Sequence, residues 1–223
     1  MTGAYLYELG VTPYREALAT MEELAAARGQ GAIPDTVMLL EHQPVITLGS
    51  RAVRGEELLL AAVEYTRRGI DVVDVSRGGR STYHGPGQLV CYPVLDLNAH
   101  GRDLHRYVAN LEQTIIQTLA AFEIDGHTVA GSHASGVWVG DRKIASIGVR
   151  CARWVTTHGL SLNVNLDLGV YELFDACGLS GAGFTSVAAE TGRDVSVDEV
   201  AEVFRGSLQE QFQITLDPLP VAV

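Results

Sequence analysis

The chain has a single lysine against fifteen arginines, three cysteines without a CxxC pair, and seven histidines without HExxH spacing. Each scarcity excludes something. Cys91, Cys151 and Cys177 form neither a disulfide framework nor a zinc knuckle, so free thiols are expected. The histidine pattern offers no ligand set, so neither a metal nor a cofactor is expected. No GxSxG elbow is present for a serine hydrolase. No apolar run approaches the roughly 20 residues of a bilayer span, and the N-terminus lacks a charged segment followed by a purely apolar one. A soluble, cytoplasmic protein with no membrane partner is expected. The net charge of -11 excludes general nucleic-acid binding.

What is present is a core-forming composition. With 223 residues and 47% hydrophobic content, residues 1–223 are expected to form one domain. The charge is uneven: residues 1–50 carry -4, residues 51–153 carry +1, and residues 154–223 carry -8. An anionic partner would therefore dock on the middle third, where Arg51, Arg54, Arg67, Arg68, Arg102, Arg106, Arg150 and Arg153 are candidates.

The pattern predicts a strand at 4–9, then a helix opened by Thr12-Pro13 that ends before Gly29 and Gly31. Strands follow at 36–41 and 45–48, a helical stretch at 55–68, and strands ending at Ser76 and spanning 88–97. Residues 103–123 form the longest amphipathic helix candidate. β-Branched segments at 136–140, 143–151 and 155–165 suggest antiparallel neighbours. Ser196 and Glu199 are spaced as a capping box for a last helix to about Phe212. This order implies an α+β layered domain.

Four segments carry chemistry. RGGRSTYHGPGQ at 77–88 packs glycines, arginines and a histidine behind a strand. There, backbone N–H groups can approach a ligand and arginines can hold an anion or position a carbonyl. It fits neither the phosphate-loop nor the dinucleotide pattern. Lys143 opens a predicted strand, and a lysine, unlike arginine, can give up its proton when desolvated. HGLSLN at 158–163 is either a strand edge or a substrate wall. Cys177 stands in a glycine-flanked loop, CGL, where a thiol is open to reaction, whereas Cys91 and Cys151 sit in apolar strands.

In this order RGGRSTYHGPGQLVCYP, KIASIGVR, HGLSLNV and ACGL, together with EHQPVITLGS and FTSV, resemble the lipoyl(octanoyl) transferase family, the octanoyl-acyl-carrier-protein:protein N-octanoyltransferases. The likeness spans about residues 36–190. It implies a mixed, largely antiparallel sheet flanked by helices, similar to the lipoate and biotin protein ligase catalytic domain. It also implies transfer of an octanoyl group from octanoyl-acyl carrier protein, through an enzyme thioester, to a lysine of a lipoyl domain. Such domains belong to the E2 subunits of 2-oxoacid dehydrogenases and to the glycine cleavage H protein, and the reaction is the first step of endogenous protein lipoylation.

Carried over by position, the family's nucleophile falls on Cys177 and its pKa-lowering lysine on Lys143. Its substrate-lining segments fall on Arg77, Gly78, Gly79, Arg80, Ser81, Thr82, Tyr83 and His84, on Ser146, Ile147 and Gly148, and on Gly159, Leu160 and Ser161. Ala176 stands where members often have proline, and Ser161 where alanine is common. Tyr92, Leu160 and Ile147 are expected around the acyl slot. Two rival readings are an ATP-dependent lipoate or biotin protein ligase on the same fold and a non-catalytic acyl- or lipoyl-binding module. A third is a thiol hydrolase using His84 or His158.

Overall fold

The computed structural model describes residues 2–129, 135–176 and 183–219. The first strand, β1 (Thr2–Thr12), is longer than the sequence predicts and slips register on its neighbour between Glu8 and Val11. Pro13, with its fixed φ, then starts helix α1 (Tyr14–Gly29). Strands β2 (Asp35–His42) and β3 (Val45–Leu48) flank the expected turn.

The stretch 55–68, expected as one helix, is two: α2 (Arg54–Glu57) and α3 (Ala62–Arg67). The break has a tertiary cause. Leu58 pairs with Phe174 in an isolated antiparallel bridge, and Phe174 is buried with Tyr65 and Ile46, so contact with a distant segment overrides the helix propensity of the leucine run.

Strands β4 (Asp71–Asp74) and β5 (Ser81–His84) border β3 in a three-stranded sheet of order β4-β3-β5. The main sheet takes β6 (Gln88–Val94), then, after helix α4 (Leu104–Ala120), β7 (Gly136–Val139), β8 (Arg142–Ala152) and β9 (Val155–Asn163). The Asp103 carboxylate caps α4 by accepting from the His105 and Arg106 N–H groups.

A 3-10 turn at Leu168–Glu172, strand β10 (Gly183–Phe184) and helix α5 (Val187–Thr191) lead to α6 (Val197–Phe212), where Ser196 Oγ accepts from the Glu199 N–H as the capping-box spacing predicts. The last strand, β11 (Ile214–Pro218), was not expected. It forms because Gln213 turns left-handed (φ 55°) and lays the chain parallel to β1.

The main sheet has the order β10-β8-β9-β6-β2-β1-β11, with β7 on β8. Its centre is antiparallel and its margins are parallel, and it matches the expected mixed sheet flanked by helices. Both faces are covered. Val37, Leu39, Leu89 and Cys91 pack with Leu111, Ile115 and Leu119 of α4 and Phe204 and Leu208 of α6. The alternate residues Met38, Leu40, Val90 and Tyr92 pack with Ala17 and Met21 of α1. Burial on both faces explains why β2 and β6 read as apolar runs without alternation. Each such fully buried Leu or Ile contributes roughly 1.5–3 kcal/mol. Among the described residues no helix is long and apolar enough to cross a membrane, and no group of three or more His, Cys, Asp or Glu could hold a metal ion.

Candidate active site

Strands β8 and β9 pair Ser146 with Ser161, Ile147 with Leu160, Gly148 with Gly159 and Val149 with His158. The segment Arg77–Arg80 crosses this ladder, with the Gly78 N–H donating to the Val149 carbonyl at 2.9 Å, and a cavity of about 170 Å³ lies between them. Glycine is required at one point of this floor and favoured at another. A Cβ at Gly148 would stand 3.1 Å from Arg77 Cδ and the Gly78 oxygen, and one at Gly159 would stand 2.2 Å from the Cys91 oxygen. The first lets the loop settle on β8; the second lets β6 approach β9.

Both loop arginines border the cavity and are also braced within the protein. Arg77 is buried; its Nη2 donates to the Thr47 carbonyl (2.9 Å) and hydroxyl (2.7 Å), and its Nη1 donates to the Gly78 carbonyl (3.0 Å). Arg80 Nε donates at 2.7 Å to Glu57, which is 0% exposed and also accepts from the Ser81 N–H at 2.6 Å. Glu57 therefore holds α2 to the start of β5, a role that no sequence motif signals. Removing one partner of a buried, hydrogen-bonded charge is costly. Glu57→Ala should lower the unfolding free energy by about 2–3 kcal/mol, measured by urea denaturation.

Alternation along β5 divides the expected wall. Thr82 and His84 border the cavity, whereas Ser81 and Tyr83 point the other way. Tyr83 packs in the cluster of Ile46, Leu48 and Phe174. Ser81 Oγ donates to the Asp175 carbonyl at 2.6 Å, and the Asp175 N–H donates to the Glu57 carbonyl at 2.8 Å. Ser81 thus anchors the chain two residues before Cys177.

Cys177 lies outside the described residues, as do the others from 178 to 182. Beyond them, Phe184 pairs with Lys143, and the Thr185 N–H donates to the Lys143 carbonyl at 3.0 Å. A buried amide chain fastens that exit. Asn163 Nδ2 donates to the Thr185 carbonyl (2.9 Å), Gln88 Nε2 donates to Asn163 Oδ1 (3.0 Å), and His84 Nδ1 donates to Gln88 Oε1 (2.8 Å). Tyr171, stacked on Phe184, donates to the same Asn163 oxygen at 3.0 Å.

Lys143 is 2% exposed. Its Nζ lies 5.6 Å from the Trp138 ring centroid, and its Cε would stand 3.0 Å from a Cβ on Gly136, the residue paired with Ser146. The side chain therefore runs along β8 and brings its amine to the level of Ser146, at the cavity.

The remaining wall, Tyr14, His84, Tyr92 and His158, belongs to a cluster of buried rings that also takes in His42 behind it. Tyr14 lies 5.0 Å from His42 and stacks at 6.2 Å on His84, and Tyr92 stands edge-on to His158 at 6.1 Å. His42 Nδ1 donates to the Thr12 carbonyl at 3.1 Å, so the Tyr92 hydroxyl donates to Nε2 at 2.8 Å. Burial pushes His42 down to about 4, and burial with the Arg77 and Arg150 charges pushes His158 down to about 3. Burial, then the His42 charge, holds His84 well below the usual imidazole range, and burial pushes Tyr14 up to about 12. All three histidines are neutral at pH 7. No local motif signals this clustering; His42 lies in EHQP, between the strands expected at 36–41 and 45–48.

The sequence from residue 13 to 209 matches the family model described as lipoyl protein ligase A/B catalytic domain. An octanoyltransferase of Roseiflexus sp. is 45% identical over 212 residues, covering 94% of this chain and 87% of that one. An octanoyltransferase of Chloroflexus aggregans is 46% identical, covering 94% and 95%. The chain belongs to the lipoyl(octanoyl) transferase family. In fold it is similar to a lipoate-protein ligase A bound with ATP (TM-score 0.77, 17% identity, 100% of this chain and 90% of that one). It is also similar in fold to the biotin protein ligase of Aquifex aeolicus in complex with biotin and ATP (TM-score 0.60, 15% identity, 94% and 70%).

For this octanoyltransferase relative, the cavity brings together most of the residues named from sequence. Lys143, Arg77, Gly78, Gly79, Arg80, Thr82, His84, Ser146, Ile147, Gly148, Gly159, Leu160 and Ser161 all border it, as does Tyr92.

Proposed function

We propose that the chain transfers an octanoyl group from octanoyl-acyl carrier protein to a lysine of a lipoyl domain, with Cys177 as nucleophile and Lys143 as its activator. The observation that carries this is the convergence at Lys143. Lys143 borders the cavity, the chain leaving the segment that bears Cys177 is fastened at Lys143 and Asn163, and the chain entering it is held at Glu57 and at Ser81 of β5, the strand that also carries the cavity residues Thr82 and His84.

An ammonium near a thiol favours the thiolate, and each pKa unit of lowering corresponds to about 1.4 kcal/mol. The Cys177 thiolate attacks the donor's thioester carbonyl; the new C–S bond forms, the carrier's C–S bond breaks, and the departing carrier thiolate takes the proton from Lys143. One thioester replaces another, so no ATP is needed. The neutral Lys143 amine then accepts the proton of the incoming lysine as its C–N bond forms and the Cys177 thiolate leaves, restoring the starting pair. Ile147, Val149, Leu160 and Val108 supply apolar wall to the tail. A volume of about 170 Å³ is of the order that accepts a small apolar guest, roughly 150 Å³ for benzene.

Several of the candidate docking arginines sit in exposed ion pairs. Arg54 pairs with Asp74, and Arg67 and Arg68 pair with Glu64. Arg51 borders the cavity itself and is the arginine best placed to meet an acidic donor or acceptor domain.

Intact-protein mass spectrometry after mixing with octanoyl carrier protein tests the proposal. An octanoyl adduct should appear on the wild type, be absent from Cys177→Ala, and be discharged by a lipoyl domain. Absence of the wild-type adduct in a single turnover overturns the covalent route. An ATP requirement that survives Cys177→Ser would establish the ligase reading instead.

A further inference from the structure

We propose that His158 is the chain-length stop of the acyl cavity, its imidazole closing that cavity off from a second, larger one behind it. This rests on the acyl-transfer reading above.

A cavity of about 470 Å³ lies between α1 and the far ends of β8 and β9, bordered by Met21, Ala25, Gly29, Val155 and Thr157. Among the described residues, His158 alone borders both cavities. The strand ladder places it where an eight-carbon tail ends. The reacting carbonyl lies at the Lys143 amine, level with Ser146. From Ser146 to Val149, the partner of His158, there are three strand steps of about 3.3 Å, roughly 10 Å in all. An extended octanoyl chain, seven bonds of about 1.5 Å in zigzag, spans roughly 9 Å. A tail running from that level along the β9 side of the ladder, past Leu160 and Gly159, thus meets His158 with its last carbon.

The stop is firmly held. His158 adopts φ +57°, its N–H donates to Met21 Sδ at 3.0 Å, and its ring is edge-on to Tyr92. It is 2% exposed, and Nδ1 has no hydrogen-bond partner among the described residues. A left-handed backbone at a non-glycine residue is retained only where the surroundings enforce it.

The backbone makes the test clean, because glycine adopts φ +57° without strain and asparagine tolerates it. Single-turnover acylation should be followed by intact mass with octanoyl, decanoyl and dodecanoyl carrier-protein thioesters. Wild type should favour octanoyl. His158→Gly should raise the dodecanoyl-to-octanoyl rate ratio at least tenfold, since each additional methylene buried is worth up to about fourfold. His158→Asn should shift it less, and serves if the glycine variant melts early. Ala25→Phe placed in the His158→Gly background should refill the second cavity and restore the wild-type ratio. A folded His158→Gly or His158→Asn protein with the wild-type ratio overturns the stop while leaving the transferase reading intact. No octanoyl adduct on the wild type overturns the transferase reading itself.

Discussion

Lys143→Arg should still accept the octanoyl group but pass it on at least a hundredfold more slowly. Arginine retains the positive charge that favours the Cys177 thiolate, yet its guanidinium does not deprotonate near neutral pH and cannot serve as general base. Such bases contribute typically about 10²–10⁴-fold. The site is also tight, for Lys143 is 2% exposed and runs beside Gly136 and Trp138. A planar fork fits less well than an amine, so acylation too should slow, by less than discharge. Lys143→Met keeps the length without charge or base and should lose both steps. Rapid-quench mass spectrometry separates the two rates, with a thermal melt confirming that each variant folds. If Lys143→Arg discharges to a lipoyl domain at the wild-type rate, the proton is accepted elsewhere.

The sheet and most of the cavity wall were readable because they depend on local pattern. The β-branched segments at 136–140, 143–151 and 155–165 could hardly be other than neighbouring strands, and their pairing brings Ser146, Gly148, Gly159 and Ser161 together. What was not readable depended on distant partners. That Arg77 is braced by Thr47 and Arg80 by Glu57 depends on segments more than twenty residues away. Ser81 and Tyr83 were grouped with Thr82 and His84, although a strand alternates its faces; their work is to hold residue 175 and to fill the small sheet's core. Tyr14 reaches the cavity only because α1 lies across β2, β6 and β9, a packing that no local periodicity announces. The split of the 55–68 helix likewise needed Phe174, more than a hundred residues away.

The cost of building that wall from neutral histidines should appear as steep acid lability. A histidine held below its ordinary pKa leaves the folded protein uncharged while the unfolded chain takes up a proton as pH falls through about 6.5. Its stabilising effect is therefore complete above that pH and lost progressively below it, until the folded pKa is reached, about 4 for His42 and about 3 for His158. Each such site removes about 1.4 kcal/mol per pH unit. The two together remove roughly 3 kcal/mol per unit, and His84, held low by the same burial, adds to the loss in the same direction. Against a total stability of about 5–15 kcal/mol, cooperative unfolding is expected between roughly pH 5 and 4. Asp35 does not account for this window. Burial raises Asp35, but hydrogen bonds from His100, Arg28 and the Asp96 N–H outweigh it and hold it below the usual range, so its loss comes at lower pH. Urea unfolding at pH 8, 7, 6 and 5 measures the slope, and His158→Asn should reduce it by about 1.4 kcal/mol per pH unit. Equal unfolding free energies at pH 7 and pH 5 would mean that the buried rings gain protons without opening the fold, and that the wall of the cavity is wetter than its hydrogen bonds imply.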